Sequence, residues 1–386
     1  MKRRLDAAVI TPGSFPVPSG KSSSVEIVAE EVARRLHGRV AVAVLGRRGI
    51  RQPPQERRGG VEYIRVPAPS PRAYIRSISR QLGKLSPQVI QVENRPRFVR
   101  VLKRKHPRAR IWLSLHSITF ISRPHMGRKE LRRCLAAADR IIVNSHYLRE
   151  ELIRRAPRAE GKIAVNHLGV DPVRFVSRWT PEGAAQRQAF LSKQGLEGRK
   201  IILYVGRLIP IKGVHHLLAA MPEIIARVPD ATLLVVGSAF YGSRRVTPYM
   251  RRLRTMAKGF RSNVRFIPYV SHQEVDEWFR LGDVLAVPSA RHEAFGLVNV
   301  EAMSAGVPVV ATRSGGMPEI VLEGITGFTV DPADTVRELA DRISVLLLDH
   351  ERARAFGESG TQRIRECFTW ECTARRWLEL LRSERL

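Results

Sequence analysis

Two glutamates, Glu293 and Glu301, are separated by seven residues in a stretch rich in glycine, proline and small side chains. The apolar run before them predicts a buried strand that ends at Pro288, and a helix is expected to begin near Gly296 or Leu297. The free N–H groups at a helix N-terminus bind anions. A carboxylate one turn into the helix, such as that of Glu301, can accept two hydrogen bonds from a vicinal diol such as ribose. Taken alone, both carboxylates could be solvated charges at a helix end, but the surrounding glycine, proline and small residues favour a ligand site.

A pair of cations follows the apolar run 201–205. Gly206 and Arg207 are followed, after four residues, by Lys212 and Gly213. Because a helix is expected from 214, both cations would lie between the end of a strand and the start of a helix. Arginine offers an anion a planar fork of donors and lysine a mobile point charge, so together they form a candidate anion site. The alternative is that they are two more members of an arginine-rich surface.

Three weaker candidates stand at other predicted element ends. His116 follows the apolar strand 111–115, where a lone histidine is more often structural than functional. Gly315 and Gly316 would let the backbone approach a ligand closely. Glu319 is a candidate for binding a second substrate or for supporting the scaffold.

The segment Gly20-Lys21-Ser22 invites a phosphate-loop interpretation. That interpretation fails, because Phe15 stands where the motif needs its first glycine. Proline at 16 and 18 also removes backbone N–H groups that a phosphate cradle requires.

Short β-branched runs alternate with amphipathic stretches, which is typical of parallel sheets covered by helices. In the first half, strands are expected near 7–10, 40–45, 63–66, 89–92, 111–115, 140–143 and 162–165, with helices over 25–36 and 147–155. In the second half, strands at 200–205, 232–237, 264–266, 284–287 and 309–311 alternate with helices from 214 and over 247–258, 273–281 and 297–305. Neither pattern covers 176–199, which is interpreted as a domain junction.

The expected fold class is α/β, with two tandem Rossmann-like domains facing a cleft at their strand ends. The first domain would comprise 1–178, joined by a C-terminal helix over 370–386, and the second 196–369.

Charge is distributed unevenly along the chain. Of the 66 basic and 36 acidic residues, residues 1–180 hold 38 and 13, which leaves the second half with 28 and 23. Such an excess in one domain attracts polyanions or an anionic membrane surface. The sequence argues against nucleic acid as a partner, since it contains no recognition-helix, RNP or zinc-finger pattern. A generic solvated surface is the remaining alternative.

Three cysteines without metal-ligand spacing indicate free thiols and a cytoplasmic location. The longest apolar runs have strand length, and the basic start of the chain lacks the apolar core of a signal peptide.

Glu293 and Glu301, within Phe295-Gly296-Leu297 and Glu301-Ala302-Met303, resemble the E-x7-E signature of glycosyltransferase family 4, which has the GT-B fold. The similarity extends to Gly206-Arg207 with Lys212-Gly213, to Val235-Val236-Gly237, and to Gly169-Val170-Asp171 with Phe175. The segments 90–96 and 166–171 look more narrowly like a spore-coat-associated branch.

The resemblance implies a retaining transferase that moves a hexose or N-acetylhexosamine from a nucleoside diphosphate sugar, with UDP favoured. By the same resemblance, Arg207 and Lys212 hold the diphosphate, Glu301 the ribose and Glu293 the donor sugar. His116 would contact the sugar from the first domain. The resemblance implies further donor-binding residues, beside the base and at the start of the helix. They are Tyr269, Val270, Phe295, Gly296 and Leu297. The glycine-rich N-terminal loop of the family has no clear counterpart at Gly20.

No metal and no other cofactor is expected, since cations and helix dipoles replace the metal in this fold. The acceptor is expected to be a cell-envelope or spore-surface glycan, lipid-linked or part of an anionic polymer. Because the first domain is basic, we expect the protein to make a peripheral contact with the inner face of an anionic membrane or to associate with the spore coat. The alternatives are a catalytically silent coat or envelope protein, an epimerase or a phosphorylase. Lys258, the one other lysine after 200, lies in no pyridoxal-phosphate motif.

Overall fold

A computed structural model describes residues 5–18, 24–242, 245–290 and 293–384 of the chain. The described residues form two compact units. One contains the chain up to Leu168 together with the stretch from Trp370, and the other is Gly169–Thr369. Gly20, Lys21 and Ser22 lie outside the described residues.

The first unit is built on one mostly parallel sheet. Its strands are β1 (Ala7–Ile10), β2 (Val42–Arg47), β3 (Gln55–Arg58), β4 (Val61–Val66), β5 (Val89–Glu93), β6 (Arg110–Leu115), β7 (Arg140–Val143) and β8 (Ile163–Val165). They lie in the order β3-β4-β2-β1-β5-β6-β7-β8, and only the β3–β4 pair of the described sheet is antiparallel.

Amphipathic helices cover this sheet. They are α1 (Ser24–Leu36), α2 (Pro71–Leu85), α3 (Pro96–Lys105), α4 (Arg128–Ala136) and α5 (His146–Arg155). Helix α2 shows how the sequence defines them. The Oγ atom of Ser70 accepts a hydrogen bond from the N–H of Ala73, and Pro71 occupies the first turn, where it costs no hydrogen bond. Tyr74, Ile78 and Leu82 are buried at helical spacing.

The second unit has a fully parallel sheet. Its strands are β9 (Lys200–Val205), β10 (Ala231–Val236), β11 (Val264–Ile267), β12 (Val284–Val287), β13 (Val309–Thr312) and β14 (Gly327–Val330). Their order, β11-β10-β9-β12-β13-β14, is that of a doubly wound sheet, and it reverses between β9 and β12. Ligands of such sheets bind at this reversal, outside the carboxyl ends of the strands.

Helices alternate with these strands and then close the chain. They are α6 (Pro181–Gln194), α7 (Val214–Arg227), α8 (Pro248–Met256), α9 (Val275–Leu281), α10 (Leu297–Ser304), α11 (Thr335–Leu348) and α12 (His350–Cys367). The last helix, α13 (Trp370–Ser383), belongs to the first unit, where it packs against α1.

The structure differs from the expected junction over 176–199. Helix α6 occupies most of this segment, with Thr180 as its N-cap and Gly195 in the left-handed conformation at its C-terminus. The boundary between the units lies at Leu168 instead of 178. Arg174 pairs with Asp276, and the side chains of Arg178 and Arg187 both bind the carboxylate of Asp283, so this segment packs within the second unit. Burial acts to raise the pKa of Asp283, but the two guanidinium groups hold it below its usual range.

Candidate active site

The loops that follow β9 and β12 pack against each other at the reversal of the second sheet. The N–H of Ala290 donates to the carbonyl oxygen of Ile211 at 3.1 Å. Gly213 precedes α7 with a φ of +73°, and a Cβ atom there would lie 1.8 Å from the carbonyl oxygen of Pro288. Glycine is therefore required for this close approach.

This packing brings together two of the residues singled out in the sequence. The Nζ atom of Lys212 forms an ion pair with Oε2 of Glu293, and Ser289 Oγ donates to the same oxygen at 3.3 Å. Both side chains of the ion pair are partly exposed, 26% for Lys212 and 19% for Glu293. An ammonium group has three donors, and among the described residues only Glu293 engages one of them, which leaves two for an anionic ligand.

Gly315 and Gly316 hold the backbone of Glu293. The N–H of Gly316 donates to the carbonyl oxygen of Glu293 at 2.8 Å. Gly315 has a φ of +64°, and a Cβ atom there would lie 1.9 Å from that same oxygen. The close backbone approach expected at these glycines is thus made to the loop that carries Glu293.

Glu301 lies on α10 and is buried. Burial raises the pKa of its carboxyl to about 8, with Arg174 acting in the opposite direction. The Nδ1 atom of His272 lies 3.8 Å from Oε1 of Glu301, but burial lowers the pKa of this histidine to about 4. At neutral pH both groups are therefore uncharged, and their contact is not an ion pair.

The start of α10 has no side-chain cap, and a buried aromatic side chain supports the loop before it. Gly296 stands before the helix with a φ of +88°, and Leu297 is partly buried. Phe295 is buried and its ring lies 6.0 Å from that of Phe368, so its side chain supports the loop from within the unit.

Arg207 is exposed beside two tyrosines. Its guanidinium carbon lies 6.0 Å from the ring centroid of Tyr241, which lies 6.4 Å from that of Tyr269. The hydroxyl of Tyr204 donates to the carbonyl oxygen of Arg207 at 2.9 Å and thereby fixes the loop. Val270, next to Tyr269, is partly buried. Tyrosine 241 was not identified from the sequence.

In the first unit, His116 follows β6 and is held by the end of β5. Its Nε2 atom lies 2.6 Å from Oε2 of Glu93 and 3.2 Å from Oγ of Ser114. The backbone N–H of His116 donates to Oδ1 of Asn94 at 3.0 Å. The register pairs Glu93 with Ser114, which places both at the carboxyl ends of neighbouring strands.

Besides Tyr241, two residues emerge as functional candidates only from the structure, His272 and Glu93. A signal for Glu93 was present, since a carboxylate at the end of an apolar strand is unusual. His272 had a weaker signal, its place in the loop between β11 and α9.

No helix in the described ranges combines the length and the apolar character that a membrane span requires.

Family models match both halves of the chain. The family described as Glycosyl transferases group 1 matches residues 186–363, and Glycosyltransferase Family 4 matches residues 25–174. Spore coat protein SA of Bacillus subtilis is 30% identical over 378 residues, which cover 98% of this chain and 99% of that protein.

Two further comparisons cover a mannosyltransferase and a solved structure. The GDP-mannose-dependent alpha-(1-6)-phosphatidylinositol monomannoside mannosyltransferase of Mycolicibacterium smegmatis is 34% identical over 270 residues, or 67% of this chain and 66% of that protein. The crystal structure of Anabaena HepE in complex with UDP superposes with a TM-score of 0.79 at 20% identity, covering 98% of this chain and 100% of that chain.

The matches of sequence, the parallel sheets of both units and the residues at their strand ends agree with one another. The chain belongs to glycosyltransferase family 4 and is a glycosyltransferase with the GT-B fold.

Proposed function

We propose that this glycosyltransferase moves a hexose or N-acetylhexosamine from a nucleoside diphosphate sugar to an acceptor hydroxyl, with retention at the anomeric carbon. The observation that carries the proposal is the arrangement at the reversal of the second sheet. There Arg207 and Lys212 follow β9, Glu293 follows β12, and Glu301 lies one turn into the next helix. This set offers cations for a diphosphate and carboxylates for hydroxyl groups.

Each residue has a proposed role. Arg207 and Lys212 bind the diphosphate, Glu301 the ribose and Glu293 the hydroxyls of the donor sugar. The backbone around Tyr269 and the start of α10 contact the base and the donor. His116 supplies a hydrogen bond to the sugar or to the acceptor.

In the proposed reaction, the acceptor oxygen forms a bond to the anomeric carbon on the face from which the diphosphate leaves. The bond between that carbon and the diphosphate oxygen breaks, and the leaving phosphate takes the hydroxyl proton. Arg207 and Lys212 stabilise the charge that develops on the diphosphate, which is the task of a metal ion in other transferases. Product anomers observed by NMR test retention, and full activity in excess EDTA is expected.

Uridine is the favoured base, because the structural neighbour from Anabaena was solved with UDP. Guanosine is the rival, from the name of the mannosyltransferase relative. A thermal-shift panel of UDP, GDP, ADP, dTDP and CDP decides between them. Ligand at ~100 times its Kd stabilises the folded state by ~2.7 kcal/mol. The same panel on Lys212→Ala should show a smaller shift. If no nucleotide raises the melting temperature of the wild type, the proposed donor site is refuted. A catalytically silent coat or envelope protein then becomes the better interpretation.

The acceptor is proposed to be a cell-envelope or spore-surface glycan presented at an anionic membrane. Helices α2, α3 and α4 pack side by side on the first sheet and carry 13 basic residues against one acidic residue, Glu130. Their apolar faces are buried, and all but one of these basic residues are exposed. This basic surface, defined by α2–α4, suits a layer of lipid phosphates. The mannosyltransferase relative, by its name, acts on a phosphatidylinositol derivative.

Liposome co-sedimentation tests the basic surface. Binding is expected with anionic vesicles and not with neutral ones. A variant with Arg76, Arg80, Arg100 and Arg104 changed to Gln should bind ~10²–10³-fold more weakly, since each cation near the surface contributes ~1 kcal/mol. A matched control removes four exposed arginines of the second unit, at 251, 252, 254 and 261. Vesicle binding that does not depend on anionic lipid would refute the membrane contact. An equal loss of vesicle binding in both variants would refute it as well.

A further inference from the structure

A chain of hydrogen bonds runs along one face of the first sheet, from α13 to the end of β6. The indole Nε1–H of Trp377 donates to Oε1 of Gln91 at 2.7 Å, and Nε2 of Gln91 donates to Oε1 of Glu93 at 2.5 Å. The second carboxylate oxygen, Oε2 of Glu93, lies 2.6 Å from Nε2 of His116. All four side chains are buried.

The indole group sets the direction of this chain. An indole N–H only donates, so the amide oxygen of Gln91 must face Trp377 and its NH₂ must face Glu93. This removes the usual uncertainty about which end of a glutamine side chain is the oxygen. Oε1 of Glu93 already accepts from Gln91, and Oε2 faces Nε2 of His116, so this contact is assigned as an N–H of the histidine donating to the carboxylate oxygen.

The other ring nitrogen of His116 is in a different situation. Its Nδ1 atom is buried and has no hydrogen-bond partner within the part of the chain that the structure describes. A proton on Nδ1 would leave a buried N–H without an acceptor, which costs free energy. With the proton on Nε2, the ring has its donor satisfied and a lone pair at Nδ1.

We propose that Glu93, oriented by Gln91 and Trp377, is a positioning residue that holds His116 with its proton on Nε2. The Nδ1 lone pair is then the acceptor left for a hydroxyl group, which must displace the residues that bury this nitrogen in order to reach it. This inference rests on the proposed function in one respect, that the hydroxyl belongs to the donor sugar or to the acceptor of the transfer.

The isosteric variant Glu93→Gln tests the proposal directly. Because Trp377 fixes Gln91, the new amide must offer its oxygen to Gln91 and its NH₂ to His116 Nε2. The ring must then accept at Nε2 and carry its proton on Nδ1. NMR of protein labelled with ¹⁵N in its histidine rings distinguishes the two neutral tautomers of His116. The signal of His116 is identified as the one that is missing from the spectrum of His116→Asn.

A second substitution should reverse this change. In Glu93→Gln combined with Trp377→Phe, the amide of Gln91 is free to rotate, so both amides can turn and present an oxygen to Nε2–H. We expect the Nε2–H tautomer to return, because it avoids the unpaired N–H at Nδ1. Rescue by a second, more disruptive substitution is not expected of a merely structural residue.

Activity supplies an independent readout. Glu93→Gln should lower kcat ~10–100-fold, as for loss of one buried hydrogen bond, with the affinity for UDP unchanged. If the hydroxyl is on the donor sugar, the affinity for UDP-sugar relative to UDP also falls; if it is on the acceptor, only transfer is affected. The control Glu160→Gln removes a carboxylate paired with Arg149 on the surface of the same unit, outside helices α2–α4, and should change neither tautomer nor kcat.

The tautomer of His116 is measured on the protein without any ligand. This test is therefore independent of the proposed donor site. A wild-type spectrum with the proton on Nδ1 overturns the inference, even if the variants fail to fold. So does a folded Glu93→Gln protein that keeps its proton on Nε2. A failed nucleotide panel beside the expected tautomers would refute the proposed function alone.

Discussion

The ammonium group of Lys212 pairs with the carboxylate of Glu293, although 81 positions separate them in the chain. The pair joins the loop after β9 to the loop after β12, the two neighbouring strands between which the order of the sheet reverses. A parallel sheet aligns the carboxyl ends of its strands, so topology alone brings these loops to one edge.

Loss of the ammonium group should affect catalysis far more than stability. Lys212→Ala is expected to lower kcat/KM at least ~10²-fold, because a contact with a departing diphosphate contributes a few kcal/mol to the transition state. The melting temperature should change little, because a partly exposed ion pair contributes at most ~1 kcal/mol. Initial rates and thermal unfolding measure the two effects.

The control for this variant is Lys258→Ala, which removes an exposed lysine from the same unit. It should leave both quantities unchanged. Near-normal turnover in Lys212→Ala would remove this residue from the diphosphate site.

The buried carboxyl of Glu301 should make stability depend on pH. Its pKa in the folded state, about 8, is above that of the unfolded chain, so between these values the folded state binds more protons. Its contribution is therefore present at low pH and is lost as pH rises towards 8. The lowered pKa of His272 acts in the opposite direction, and only between about 4 and 6.5.

Between about pH 6.5 and 8 the effect of Glu301 should therefore stand alone. The unfolding free energy of the wild type should fall, relative to that of Glu301→Gln, by on the order of 1–2 kcal/mol across this window. Urea unfolding of both proteins at several pH values measures the difference. Parallel stability curves would show that this carboxyl titrates normally.

Nucleotide binding should release a proton from the same carboxyl. Ribose hydroxyls donate to the carboxylate form and so lower its pKa. Calorimetry in buffers of different ionisation enthalpy should show proton release on binding at pH 7 by the wild type and less by Glu301→Gln. Equal release by both proteins would place the ribose elsewhere.

Much of the fold was predictable because buried parallel strands are short apolar runs. All strands expected from the sequence are present, with ends displaced by a few residues at most. Two were missed. Strand β3 reads Gln-Glu-Arg-Arg and is an edge strand with little burial, and β14 is interrupted by glycine and threonine. Pairing with the neighbouring strands β4 and β13, not local pattern, makes these segments strands.

The candidate site was predictable only as separate segments. Sequence indicated that Lys212 and Glu293 follow strands, but not that they pair, because the pairing depends on strand order. The link from Trp377 to His116 was beyond prediction for the same reason, since it joins α13 to β5 and β6. Burial of Phe295 behind its loop is also a result of tertiary packing.

Helix α6 was not predicted from the sequence, because few of its side chains are buried. The residues that cap its two ends, Thr180 and Gly195, are nevertheless typical of helix ends. The Oγ1 atom of Thr180 accepts a hydrogen bond from the N–H of Gly183 at 3.1 Å. Thr180→Ala should cost about 1 kcal/mol in unfolding free energy, the usual effect of losing an N-cap, whereas Thr180→Ser should retain most of it. Equal stability of the two variants in urea unfolding would show that the cap contributes nothing.

Two glycines of the second unit can be compared to test whether close packing against the backbone of Glu293 matters for stability. Gly315 and Gly324 both have positive φ, +64° and +72°, so alanine at either should cost ~1–2 kcal/mol of backbone strain. At Gly324 a Cβ atom would meet nothing within 4 Å, but at Gly315 it would lie 1.9 Å from the carbonyl oxygen of Glu293. Gly315→Ala should therefore be the more destabilising by ~1–3 kcal/mol.

The two variants should also differ in ligand binding. Displacement of the Glu293 loop breaks its pairing with Lys212, so Gly315→Ala should weaken nucleotide-sugar binding, while Gly324→Ala should bind as the wild type does. Urea unfolding and calorimetric titration give the two quantities. If both alanines cost the same and bind the donor equally, then the contact between Gly315 and the Glu293 backbone does not hold the site in place.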